Sequence, residues 1–262
     1  MLYRLYKAYK KLVPGIEHIR GTTWLYSVLR NKTLRKKLDK NGCYPTKLGP
    51  IKFNSISDYR PILEEEAFFQ QFTAHIKKDS VIYDIGGFHG FYAIVGSLGK
   101  LCYCFEPDTE NLKHLKENIQ LNKDNFPNRD IQIIKKAVWS EEKSLHFHYG
   151  HSGKSSVIGK DSGDSVAVES VSIDNFTEEH EKPDLIKIDV EGAEARVLKG
   201  AKSTLKRFHP KLFLEIHDEA KLNTFGNSSR EIEQLLQEVG YYIQVEISRG
   251  YEKQVICQGV TS

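Results

Sequence analysis

The chain has 262 residues, of which 39% are hydrophobic and 28% charged, with a net charge of +3. That balance suits a water-soluble fold able to bury a sizeable core. No stretch approaches the roughly 18 to 20 uninterrupted apolar residues of a spanning helix, and charges interrupt every apolar run near the start, against the layout of a secretory signal; a cytoplasmic protein is expected.

The charge is unevenly placed. Residues 1–40 hold eleven Lys or Arg against Glu17 and Asp39, which is +9 and leaves −6 for the remainder. Leu2, Leu5, Tyr6, Tyr9, Leu12 and Val13 form an apolar stripe beside Arg4, Lys7, Lys10 and Lys11, broken at Pro14-Gly15. Such a helix can lie against an anionic membrane or pack across a catalytic domain as a lid. A second helical pattern runs from about Thr23 to Leu38. Residues 1–60 therefore read as a basic helical arm, and 61–262 as the main domain.

From Val81 the pattern alternates. VIYDI, LCYCFE, IQIIKKAV, DLIKIDV and KLFLEI are strand-like,. Between them DTENLKHLKENIQLN places Leu112, Leu115 and Ile119 on one helical face, and EARVLKGAKSTL does so with Val197, Leu198, Ala201 and Leu205. SSREIEQLLQEVG opens with capping-box spacing at Ser228/Glu231 and stops at Gly240,. This alternation predicts a mainly parallel sheet with helices on both faces. YYIQVEI and KQVICQG are expected to close it as an antiparallel pair. LHFHY and VAVESVSI read as an inserted hairpin around a polar loop. Gly153-Lys154-Ser155 in that loop lacks the leading glycine of a phosphate-binding loop, because His148 stands there,. His146, His148 and His151 have no fixed acidic partner, and no metal is assigned to them or elsewhere, although a divalent ion at Asp189 is compatible with the residues. Cys43, Cys102, Cys104 and Cys257 show no CxxC spacing and read as buried thiols, with Cys102 and Cys104 on one strand face,.

The segment VIYDIGGFHGFY ends a strand on Asp84 and turns through Gly86, Gly87 and Gly90. A dinucleotide fingerprint would need glycine where Phe88 and Phe91 stand,. An acid there suits the ammonium group of S-adenosylmethionine and repels a pyrophosphate, while Glu106, at the end of the next strand, suits both ribose hydroxyls. DIGGFHGFY, CFEPDTENLKHLKENIQLN, DLIKIDVEGAEARVLKGA and KLFLEIHDE together resemble the FkbM family of S-adenosylmethionine-dependent methyltransferases, from about Glu64 to Gln244. Gly87, Phe88 and His89 replace Ala, Asn and Ile of the family's DVGANIG pattern. The resemblance implies a class I methyltransferase fold, α/β with a seven-stranded sheet, mostly parallel with one antiparallel strand, and O-methylation of a glycan, glycolipid or other small molecule.

The expected donor-binding set is Asp84, Gly86, Gly87, Phe88, Gly90, Glu106, Pro107, Ala137 and Val138. For catalysis, Asp189 ends the fourth strand near Glu191 and Glu194, and Glu215 and His217 share a face at the end of the fifth. His217 is the candidate base, since an unperturbed imidazole titrates near 6.5. Two competing readings are an RNA methyltransferase that holds phosphates with its basic arm and a non-catalytic binding protein. Against RNA, no NPPY-like motif occurs and the basic residues sit away from the other motifs; for the binding protein, only Phe88 and His89 speak.

Overall fold

In the computed structural model the described residues are 22–46, 49–123, 130–148, 156–158, 165–249 and 252–260. The apolar stripe of residues 2–13, with its two readings as membrane contact and as lid, the Gly153-Lys154-Ser155 segment and His151 lie outside them. No helix among the described residues is long and apolar enough to cross a membrane.

A small hairpin, β1 (Tyr44–Thr46) and β2 (Gly49–Ile51), precedes the main sheet. The sheet is built from β3 (Val81–Ile85), β4 (Leu101–Phe105), β5 (Asp130–Ile134), β10 (Leu185–Ile188), β11 (Lys211–Ile216), β12 (Tyr241–Arg249) and β13 (Glu252–Gly259). Its order is β12-β13-β11-β10-β3-β4-β5. Only β13 runs against the others, pairing antiparallel with both β11 and β12. The expected seven-stranded class I architecture is thus present. Four further strands, β6 (Ala137–Val138), β7 (Ser144–His148), β8 (Ser156–Ile158) and β9 (Ser165–Val171), make a second sheet in the order β6-β9-β7-β8.

Strand periodicity sorts the core into two layers. Val81, Tyr83 and Ile85 of β3 pack with Leu101, Tyr103 and Phe105 of β4 against the helices that carry Phe176, Leu198, Leu205 and Leu235. Ile82, Cys102 and Cys104 point the other way, into a layer with Phe68, Phe72, Phe91, Tyr92 and Phe213. All four cysteines are free and buried, and Cys102 and Cys104 share that layer, as alternation requires. Leu34, Ile51, Phe53 and Tyr59 belong to the same layer. The described part of the N-terminal segment therefore shares its core with the strands that carry the site.

Two elements differ from the sequence reading. IQIIKKAV is not one strand: β5 ends at Ile134, and Ala137–Val138 pair instead with Ser170–Val171 of β9. EARVLKGAKSTL is not one helix, because it divides into Glu194–Lys199 and Lys202–Phe208 around Gly200. A β-carbon at Gly200 would overlap the backbone oxygen of Trp139, so the helix breaks where another segment crosses closely,. The inserted region holds more than a hairpin, since β7 pairs with both β8 and β9. The cap at Ser228 forms as expected, its side chain accepting from the Glu231 N–H.

Candidate active site

β3 leads into the glycine turn. Gly86 and Gly90 adopt left-handed backbone conformations with φ of +84° and +89°. The Gly86 and Gly87 N–H groups both donate to the Phe105 carbonyl at 3.0 Å, which fastens the turn to the end of β4. Phe88 also has positive φ, at +48°, a conformation asparagine tolerates better than an aromatic residue. The strain is offset locally: the Phe88 N–H donates to Glu106 Oε2 at 2.7 Å, and its ring stacks on His89 with centroids 3.8 Å apart.

Glu106 stands at the centre of this arrangement. Its Oε1 accepts from the Asp108 N–H at 2.9 Å and from Asn111 Nδ2 at 3.3 Å. Burial pushes its carboxyl up from 4.5 to about 7, against the pull of the hydrogen bonds from Asp108, Phe88 and Asn111,. An acid whose pKa is raised on folding holds its proton more tightly when native, so its contribution is greatest below pH 4.5 and is lost as pH rises to about 7,. Asp84 behaves alike, since burial raises it from 3.8 to about 6. Glu106→Gln is expected to remove about half of the fall in thermal stability between pH 5 and 8; melting curves with equal pH slopes in the two proteins would contradict this.

Asp84 stands at the end of β3, as the sequence reading has it. It is fully buried and does not line the cleft. Asp84 lies on the inward layer beside Lys187, its register neighbour on β10, with Lys187 Nζ 3.6 Å from Oδ1. The same ammonium group reaches Asp189 Oδ2 at 3.4 Å and the Gly86 carbonyl at 3.3 Å, and sits over the Tyr92 ring. Burial works against its charge, but Asp189, Asp84, Glu65 and Glu215 outweigh that and raise its pKa. Lys187 thus ties the glycine turn to the end of β10. A lysine inside the apolar run DLIKIDV was the available signal, because a buried ammonium must be paired.

One cleft at the carboxyl ends of β3, β4 and β10 collects most of the expected residues. Gly86, Gly87, Phe88, Glu106, Pro107, Ala137 and Val138 line one part of it, and Asp189 with Glu191 another. Gly90 does not line the cleft; it precedes the helix Phe91–Gly96, and a β-carbon there would strike Leu115. Glu215 also lies outside the lining, buried and accepting from Gln254 Nε2 of β13 at 3.0 Å. The cleft wall includes Asp58, which sequence reasoning missed. Its carboxylate meets His89 Nδ1 at 2.9 Å and accepts from Asn118 Nδ2 at 3.2 Å, while the same amide donates to the His89 carbonyl. Nothing in the local pattern around Asp58 marks it, since its partners lie 31 and 60 residues away.

The DVEGAE segment makes a tight left-handed loop. Glu191 has φ of +54° and Gly192 of +109°, and Glu194 Oε1 accepts from the Gly192 N–H at 3.0 Å. Glu194 is fully buried and meets His217 Nδ1 at 2.7 Å. His217 Nε2 faces Glu191 Oε2 at 3.5 Å and Asp189 Oδ1 at 3.8 Å. Burial disfavours the imidazolium, yet Glu194, Asp189 and Glu191 prevail and raise its pKa from 6.5 to about 9. These surroundings differ from those of the free imidazole on which the sequence reading rests. Lys221 pairs with Glu191 and, at 3.2 Å, with Glu252.

The geometry agrees with the kinship of the chain. It is 26% identical over 192 residues to the hexuronic acid methyltransferase AglP of Haloferax volcanii, a match covering 70% of this chain and 78% of that protein. Its fold is similar to that of a crystallised FkbM methyltransferase from Methylobacillus flagellatus, with a TM-score of 0.50 and 14% identity, covering 90% of this chain and 60% of that one. Residues 80–243 match the methyltransferase FkbM domain, and with well over half of its length inside that match the chain belongs to the FkbM methyltransferase family.

Proposed function

We propose that the cleft binds S-adenosylmethionine and that the protein transfers its methyl group to a hydroxyl of a sugar or glycan. The observation that carries this is the placing of Glu106 and Asp189 in a single cleft on either side of the glycine turn. Glu106 offers a carboxylate to the ribose hydroxyls of the donor, and the turn lets the backbone approach the ligand closely. The name of the Haloferax relative supports a sugar as acceptor.

Methyl transfer from a sulfonium is an in-line displacement. The hydroxyl oxygen forms a bond to the methyl carbon as the carbon–sulfur bond breaks, the sulfur leaves as a neutral thioether, and the hydroxyl gives up its proton. Alignment contributes much of the acceleration. Asp189 is the cleft carboxylate held beside the turn, by its N–H donating to the Ile85 carbonyl at 3.0 Å and by Lys187 at one oxygen. Its carboxylate lines the cleft and is suited to take the proton of the acceptor hydroxyl, with the His217–Glu194 pair positioning it.

Asp189→Asn is expected to lower turnover roughly 100- to 1000-fold, the usual range for losing a proton-handling group, while the affinity for the donor changes less than about twofold. Transfer of labelled methyl from the donor to hexuronic acids and neutral sugars measures both acceptor range and rate. Turnover at the parent rate in the variant, on an acceptor the parent methylates, would sink the role given to Asp189.

A further inference from the structure

Just behind the cleft lies a buried imidazole aimed at two of its carboxylates. The His217 side chain is 3% exposed, and its Nδ1 is held by Glu194 at 2.7 Å. Its Nε2 points between Asp189 and Glu191, which line the cleft, at 3.8 Å and 3.5 Å. One ligand atom from each of Asp189, Glu191 and His217 lies within 4.8 Å of the others. Ligands about 2.1 Å from a six-coordinate cation are roughly 3.0 Å apart in cis and 4.2 Å in trans, so the separations within the trio must close by up to roughly 0.5–0.8 Å,.

We infer that Asp189, Glu191 and His217 form a binding site for a divalent first-row metal ion. Two carboxylates with one imidazole make a mixed oxygen and nitrogen donor set, which suits ions such as Mn²⁺ better than Mg²⁺. Glu194 completes it from behind. A carboxylate on the distal ring nitrogen fixes the tautomer that leaves the other lone pair toward the metal, a pattern that recurs at protein metal centres. Fully buried at the start of the helix Glu194–Lys199, Glu194 can serve no exposed ligand itself. Among the described residues, Lys187 and Lys221 lie at the margin of the site. Lys187 holds the Asp189 oxygen that faces away from His217. Lys221 shares the Glu191 Oε2 that faces it, and has Glu252 as a second partner to take up.

The function assigned to the ion rests on the methyl-transfer reading: as a Lewis acid beside the donor it orients the acceptor hydroxyl and lowers its pKa, easing loss of the proton. The binding site itself does not depend on that reading. Protein dialysed against EDTA and then against metal-free buffer is titrated with MnCl₂, and free Mn²⁺ is read from its six-line paramagnetic resonance signal. Uptake of one Mn²⁺ per chain is expected, weakened at least 100-fold in Asp189→Asn and His217→Gln and 10- to 100-fold in Glu194→Gln. Glu191→Gln, at a partly exposed position, supplies the same test if a buried variant fails to fold, as judged by circular dichroism. No uptake by the parent protein up to 1 mM, on the order of weak surface binding, or undiminished uptake by folded variants, overturns the site. Calorimetric titration of the same samples with S-adenosylmethionine separates the two ideas. Donor binding without Mn²⁺ uptake removes the metal site and leaves the methyltransferase cleft, whereas Mn²⁺ uptake without donor binding upholds the site and removes the donor.

Discussion

Glu106→Ala is expected to reduce the affinity for S-adenosylmethionine roughly 100- to 1000-fold. A hydrogen bond to a charged group is worth about 1.5–3 kcal/mol, and with Oε1 taken by Asp108 and Asn111 the carboxylate offers the ribose its Oε2. The same oxygens hold the Phe88 and Asp108 N–H groups, so truncation also frees the turn that must lie under the donor. Together these amount to about 3–4 kcal/mol, which converts to the stated range. Glu106→Gln retains one acceptor oxygen and should fall between parent and alanine variant. Calorimetric titration with the donor and with its demethylated product checks both. If neither variant binds more weakly than the parent, the ribose does not lie at this end of the cleft.

The second large effect concerns Gly86. Its φ of +84° disfavours any side chain, and a β-carbon there would overlap the Asp189 carbonyl oxygen. The conformational term costs about 1–2 kcal/mol, and forcing two backbone segments apart about 1–3 kcal/mol more. For a domain of this size a loss of about 2–5 kcal/mol lowers the melting temperature by roughly 4–20 °C. Gly86→Ala is expected to show that fall together with loss of donor binding, because the displaced segment carries Asp189 at its end. Gly226→Ala is the control: Gly226 also has positive φ, +65°, but no atom lies within 4 Å of the added carbon. Gly226→Ala should therefore lose only the conformational part and keep the donor. Similar melting temperatures for Gly86→Ala and Gly226→Ala would show that the close approach to Asp189 matters little.

The parallel sheet was readable because β3, β4, β10 and β11 are short apolar runs with helical patterns between them, and each pattern is local. What escaped is what depends on crossing segments. Gly200 reads as an ordinary residue inside a helical pattern until Trp139 passes beside it. Ala137 and Val138 continue the apolar run of β5, yet their hydrogen bonds go to β9, more than 30 residues away in the chain. At the site, Glu106 and Asp189 line the cleft from their places at strand ends, which topology alone makes legible,. Asp84 occupies an equivalent place but falls on the inward face, and which face a strand end presents depends on register against Lys187. The acidic surroundings of His217 were not legible, because Glu194 and Glu191 approach it only through a loop with left-handed backbone.

The position of β13 bears on the order in which the protein assembles. This strand lies between β11 and β12, although it follows both in the chain. During synthesis β12 therefore emerges before the strand it must pair with, and β11 presents an unpaired edge until residues 252–259 arrive. Completing the sheet means inserting a strand into a gap, a non-local step that tends to be slow. The same geometry governs truncation: removing β13 takes out an interior strand, leaves β12 without a neighbour, and deprives the buried Glu215 of Gln254. The far end of the sheet thus acts as a latch that shuts last, and a nascent chain lacking it exposes two strand edges open to pairing with another copy.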